Sequence, residues 1–152
     1  MTEKKLPLEG LKVLDFTIAL AGPFTAWQLA DMGAEVWKIE RYGGGDQCRT
    51  WDPFLNGLGT MFVSYNKNKK SVEMNLAAGE GKAVIYEMAR QADVVIENFK
   101  SGSIDRLGLG YEKLRELNPK LVFISLSGFG ASGPLMKLPC YDAIAEARSG
   151  FA

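Results

Sequence analysis

The strongest constraint on this chain is an alternation of short apolar runs with helix-like segments. Residues 11–16 (LKVLDF) form a β-type run. Gly22 and Pro23 then interrupt, and Pro23 suits the first turn of a helix, where its missing N–H costs no bond. Residues 24–32 read as a helix, apolar on most sides through Ala26, Trp27, Leu29 and Ala30, and Gly33 ends it. Residues 35–39 (EVWKI) favour extended structure. Residues 62–65 and 71–76 read as further extended runs around a basic turn. Residues 80–92 predict a helix, with Val84, Ile85, Met88, Ala89 and Ala92 at helical spacing. Residues 93–96 (DVVI) and 121–126 (LVFISL) are apolar runs of the kind buried on both faces. Short helices are expected over 111–117, ended by Asn118-Pro119, and over 141–150. Strands alternating with helices imply βαβ units and a parallel sheet, an α/β fold.

Residues 41–59 break the pattern with Gly43, Gly44, Gly45, Pro53 and Asn56-Gly57. Long loops in compact domains are usually functional or disordered. No repeat, low-complexity tail or linker divides the 152 residues, a length that suits one domain.

Composition excludes several chemistries. With no histidine, no Ser-His-Asp or Cys-His pair forms within this chain, and no HExxH zinc site. Two cysteines cannot make a four-thiolate site, so no metal centre is expected. Acid–base work falls to carboxylates, Lys, Tyr or Cys. The 18 Lys+Arg balance 18 Asp+Glu, which supplies no long-range field to hold nucleic acid or an anionic membrane. The first residues lack the apolar core of a signal peptide, and no apolar run reaches the ~18 residues of a membrane span. The expectation is a cytoplasmic protein with Cys48 and Cys140 reduced.

Several positions are candidates for a site. Glu97-Asn98-Phe99 follows a buried strand directly, at the end where open α/β sheets bind ligands. The Asn amide and Phe ring suit a planar ring such as adenine, or equally an Asn turn with a Phe closing the core. Lys67, Lys69 and Lys70, with Arg41 and Arg49, would suit phosphates if they lie at the carboxyl ends of strands; the alternative is a solvated basic turn. Gly128-Phe-Gly-Ala-Ser-Gly133 matches G-x-G-x-x-G after a strand, but Pro134 and Pro139 follow, and no helix is expected before about Tyr141. Asp142 reads as a helix cap before it reads as a nucleophile, and Cys140 has no base partner. Asp15 and Asp46 show no specific partner. On residues alone, a dinucleotide (NAD-type) module using Gly128 to Gly133 and a non-catalytic α/β interaction domain both stay open.

A series of blocks resembles the class III coenzyme A transferases, the CaiB/BaiF family. They are Leu8-Glu-Gly-Leu-Lys-Val-Leu-Asp-Phe16, Ala21-Gly-Pro23, Gly33-Ala-Glu-Val-Trp-Lys-Ile-Glu40 and Asn66-Lys-Asn-Lys-Lys-Ser71. Asp93-Val-Val-Ile-Glu-Asn-Phe99, Leu107-Gly108, Ser127-Gly-Phe-Gly130, Gly133-Pro134 and Pro139-Cys-Tyr-Asp142 complete the series, from Leu8 to the end of the chain. The resemblance implies a Rossmann-like large domain, of which residues 1–152 are the incomplete N-terminal part of a larger two-domain fold, and an interlocked homodimer. It implies transfer of coenzyme A from an acyl-CoA donor to a carboxylic acid acceptor, with coenzyme A as substrate and no permanently bound cofactor. An aspartate would attack the donor thioester and then carry coenzyme A, covalent catalysis without histidine.

By position, the resemblance places Ala19, Leu20 and Ala21 by the thioester and Arg41 at the nucleotide. It places Met74, Asn98 and Phe99 beside the adenine and pantetheine path, and Arg106 at the phosphates. Leu20 stands where oxalate-handling members carry a glutamine, which favours a more apolar acyl group, and Ala77 stands where some members place a lysine. The family's nucleophile lies some tens of residues beyond the Tyr-Asp motif, past Ala152. The catalytic residue is therefore expected outside these 152 residues, which alone are expected to be an inactive N-terminal fragment that exposes apolar surface.

Overall fold

β1 (Lys12–Asp15) runs through the middle of a five-stranded sheet and sets the position of everything around it. In the computed structural model, which describes residues 5–151, β1 leads into α1 (Ala21–Asp31) and β2 (Glu35–Arg41). A 3-10 turn (Gln47–Thr50) and a small hairpin, β3 (Phe54–Leu55) with β4 (Leu58–Gly59), occupy the expected long loop. Then come α2 (Thr60–Tyr65), β5 (Lys69–Met74), α3 (Gly79–Gln91), β6 (Val94–Glu97), α4 (Ser103–Arg106), α5 (Tyr111–Leu117), β7 (Val122–Ser125) and α6 (Asp142–Ser149).

The main sheet has the order β5-β2-β1-β6-β7, and every pair in it is parallel. Counted along the chain, its strands lie 3-2-1-4-5, the order of the doubly wound dinucleotide-binding fold. The direction of winding reverses at β1, so the carboxyl ends of β1 and β6 flank the switch point where such sheets bind ligands. The expected α/β fold with a parallel sheet is thus observed.

Alternate strand residues fill two cores. Val13 and Val36 pack with Ala26 and Ala30 of α1 on one face. Leu14 and Ile39 pack with Ile85, Ala89 and Leu114 of α3 and α5 on the other. Each fully buried Val, Leu or Ile side chain among them contributes about 1.5–3 kcal/mol. Gly33 closes α1 at φ +102, and a Cβ there would sit 2.6 Å from the Leu6 side chain, so only glycine fits the turn into β2.

Four sequence expectations need correction. Residues 62–65 are helical, because Phe62 is buried and Tyr65 packs edge-on against Phe24 and Trp27 of α1; tertiary contact overrides the β preference of these residues. β7 is an edge strand rather than a buried one, and Val122 is 55% exposed. Val84 turns outward from α3 at 49% exposure, while Ile85 and Ala89 form its core face. Asp142 is the first residue of α6 and makes no cap bond, Tyr141 taking the cap position; its charge still opposes the positive end of the helix. The four residues of α4 are too few to show a helical period in the sequence.

Large apolar side chains are exposed along the hairpin and the last segment, among them Phe54, Leu55, Leu138 and Ile144. No helix among the described residues is long and apolar enough to cross a membrane.

Candidate functional site

The loop from β1 to α1 and the turn after β6 meet at the carboxyl edge of the sheet, and a two-lobed crevice opens there. One lobe, of about 720 Å³, is walled by Ala19, Leu20, Ala21, Asn98, Phe99 and the segment around Phe129 and Leu138. The other, of about 920 Å³, lies over β2 and β5 and is walled by Arg41, Tyr42, Asp46, Met74, Ala77 and Phe99. Ile18, Gln47, Phe99 and Leu107 belong to both walls, so the lobes are continuous.

Seven of the eight binding residues expected from the sequence therefore line one crevice. Arg106 is the exception: it is exposed on α4, outside both linings, and its guanidinium donates to Ser103 Oγ at 2.8 Å. Leu20 is 38% exposed at the cap of α1, leaving an apolar side chain at the mouth of the first lobe. Phe99 packs on the core, as one sequence reading expected, and its side also lines the crevice. Asn98 uses its amide on the protein itself. Its Oδ1 accepts from Ile18 N–H and its Nδ2 donates to Ile18 O, both at 2.8 Å.

The lysine cluster does not face the crevice. Lys69 is turned under α1, where its ammonium pairs with Asp15 at 2.8 Å and donates to Pro23 O and Asn66 Oδ1. Burial pushes its pKa down, against the pull of the Asp15 charge. Lys70 pairs with Glu35 at the surface, and Lys67 lies over the Trp27 ring at 4.4 Å.

The structure reveals an ionic network that the sequence did not show. Asp15 is fully buried and accepts from Thr17 N–H and Oγ1 as well as from Lys69. Lys38, 1% exposed, pairs with Asp46 Oδ2 at 2.9 Å and donates to Thr17 O at 2.8 Å. Asp46 Oδ1 accepts from Cys48 N–H and Ala19 N–H. Glu40, 3% exposed, takes a two-point contact from Arg49 at 2.7 Å, the Ser71 hydroxyl at 2.6 Å and Asp46 N–H at 2.9 Å. Burial alone would raise the Glu40 carboxyl; these donors outweigh it and hold its pKa at about 2. Burial, with the Asp46 charge adding to it, pushes the Cys48 thiol up to about 12, so it is no nucleophile. The one available signal is Lys38 and Glu40 alternating with the apolar Trp37 and Ile39 in EVWKIE, followed by a turn of glycines.

At the Gly128 to Gly133 stretch no helix opens; turns run on to α6. A Cβ on Gly128 would meet Cys140 Cβ at 2.1 Å, so that glycine serves the close return of the chain past Cys140. The loop thus lacks the helix N-terminus that holds a pyrophosphate in the dinucleotide motif.

The description of CoA-transferase family III matches residues 8–152. The chain belongs to CoA-transferase family III. As a member of that family, it is 46% identical over 145 residues to the human succinyl-CoA:glutarate CoA-transferase, covering 95% of this chain and 33% of the relative. It is 45% identical over 146 residues to the acetyl-CoA:oxalate CoA-transferase of Acetobacter aceti, covering 96% of this chain and 38% of that protein. Among solved structures, a CAIB/BAIF family protein from Brucella suis superposes with a TM-score of 0.91 at 38% identity, over 97% of this chain and 40% of that one. A Mycobacterium tuberculosis protein gives a TM-score of 0.90 at 40% identity, over 96% and 41%. This family III chain thus spans 33–40% of the length of the curated relatives and about two fifths of the solved ones, and its sheet is part of a larger fold.

Proposed function

We propose that this chain carries the coenzyme A crevice of a family III CoA-transferase, and that the whole protein moves coenzyme A from an acyl-CoA donor to a carboxylic acid acceptor. The observation behind this reading is the continuous two-lobed crevice at the switch point, with Phe99 in both walls. Arg41 and Met74 would flank the nucleotide in the wider lobe. The thioester would enter the other lobe beside Ala19, Leu20 and Ala21. Arg106 would reach the phosphates from α4, outside the lining. With Leu20 at its mouth, that lobe suits an apolar acyl group better than a small diacid.

The nucleophile is an aspartate outside these residues. Its carboxylate attacks the thioester carbonyl, the C–S bond breaks, and the coenzyme A thiolate departs as a mixed anhydride forms between the aspartate and the donor acyl group. The thiolate then attacks the aspartyl carbonyl and expels the donor acid, leaving an aspartyl–CoA thioester. The acceptor carboxylate repeats the sequence in reverse, so no oxidant, reductant or permanent cofactor is consumed. Asp15 and Asp46 are committed to Lys69 and Lys38 and do not supply this group. The reading extends to an interlocked homodimer of the whole protein, in the cytoplasm.

Calorimetric titration of the chain with coenzyme A and with NAD tests the reading. Binding of coenzyme A, weakened in Arg41→Ala and Phe99→Ala, is expected. Binding of NAD alone would overturn it in favour of a dinucleotide module, and a folded chain that binds neither would be an interaction domain. Incubated with acyl-CoA donors and acceptor acids, the 152 residues should show no turnover.

A further inference from the structure

The backbone of the β1–α1 loop is held residue by residue, by side chains from three other parts of the chain. Thr17 O accepts from Lys38 Nζ of β2 at 2.8 Å. Ile18 gives its N–H to Asn98 Oδ1 and receives Asn98 Nδ2 at its carbonyl. Ala19 N–H reaches Asp46 Oδ1, beyond the glycine turn, at 3.3 Å. Lys38 and Asp46 also pair with each other, both 1% exposed. Between these grips Ala19 takes φ +66, a left-handed conformation that a residue with a Cβ rarely adopts. Strain of this kind persists only where the surroundings over-determine it.

We infer that the Lys38–Asp46 pair is a positioning device that fixes the Thr17–Ile18–Ala19 backbone, and with it the wall of the lobe beside Leu20, before any ligand arrives. This rests on the coenzyme A reading for its purpose, though not for its geometry. A buried ion pair is a poor source of stability, because desolvation consumes most of the attraction. Its value here is directional: both members spend a second bond on consecutive segments of one loop. Lys38 holds a carbonyl and Asp46 an amide two residues later, so the pair sets the distance between the two points. Asn98 fixes the residue between them. Neither Lys38 nor Asp46 needs to touch the reacting atoms to act in this way.

Removing one member alone would strand a buried charge and could unfold the chain, so the test uses two neutral double variants. Lys38→Met with Asp46→Asn keeps an acceptor oxygen for Ala19 N–H, and Lys38→Met with Asp46→Leu removes it. Amide exchange is read by NMR, alongside coenzyme A affinity. The Leu variant is expected to exchange the Ala19 and Cys48 amides at least about tenfold faster than the Asn variant, the worth of about one hydrogen bond. Leu14 and Val95, deep in the sheet, should exchange alike in both. Affinity for coenzyme A should fall about tenfold in the Leu variant and less in the Asn variant. Equal exchange at Ala19 in the two, or a rise shared equally by Leu14 and Val95, would overturn the proposal. If the exchange differs as expected but the unsubstituted chain binds no coenzyme A, the functional reading fails and the loop assignment stands.

Discussion

Glu40 offers the sharpest quantitative test of the buried network. Its carboxyl, 3% exposed, is held at about 2 against an ordinary value of 4.5. At 1.36 kcal/mol per pH unit, that difference is worth about 3 kcal/mol of folding stability at neutral pH. Arg49 is 28% exposed, so solvent screens part of its share, and a measured value of about 2–3 kcal/mol is expected. The folded pKa lies below the unfolded one. The contribution is therefore fully present above pH 4.5 and is lost as pH falls towards 2. Glu40→Gln keeps the size of the side chain but cannot lose a proton. Urea unfolding of both proteins at pH 7, 4.5, 3 and 2.5 should show the variant less stable at pH 7, and the gap closing between pH 4.5 and 2.5. Other carboxylates titrate in the same window, but they do so in both proteins and cancel in the difference. Parallel stability curves for the two would refute the argument.

Three further outcomes follow from the geometry. Asn98→Ala removes two bonds to Ile18, and because water can enter the crevice the loss should be about 2 kcal/mol. That is a fall in Tm of about 4–8 °C by calorimetry, and an unchanged Tm would contradict it. Gly22→Ala would place a Cβ 2.3 Å from the Thr17 Cβ and Cγ2, and Thr17 is fully buried and bonded to Asp15. The clash should outweigh the ~1 kcal/mol helix preference of alanine and destabilise by about 1–3 kcal/mol; a gain in thermal stability would refute this. Titration with a thiol reagent at pH 8 should label Cys140 alone in the native chain and Cys48 only after denaturation, since Cys48 is fully buried with its thiol near 12. Two fast equivalents would count against it.

Much of the architecture was legible because periodicity is local. β1, β2, β6, α3 and α5 lie within a few residues of where apolar spacing put them. The tip of the crevice, Asn98-Phe99, was legible because it follows a buried run without a break. The failures were non-local. Six residues cannot show a helical period, and the helicity of residues 60–65 comes from the aromatic contacts with α1. Lys69 sits in a basic run that reads as solvated, yet its partner Asp15 is 54 residues away. Lys38 alternates with Trp37 and Ile39 as an outward-facing residue would. It is buried because the glycine turn after β2 folds back and brings Asp46 over it. No property of the lysine itself announces that return.

The placement of these charges also bears on how the strands find one another. Lys69, Ser71 and Glu40 share the α1 face of the sheet, whereas Val72 and Met74 point to the apolar side beneath α3. If β5 slid one residue along β2, Val72 would arrive beside Glu40 and take away its hydroxyl partner, and Ser71 would turn into the apolar side. A sheet held only by aliphatic residues would tolerate that mistake for little more than a change of packing. Here the mistake also turns Lys69 to the apolar side and leaves the buried Asp15 carboxylate without its ammonium, so the charges act as a proofreading mark on the edge of the sheet that only the correct alignment satisfies.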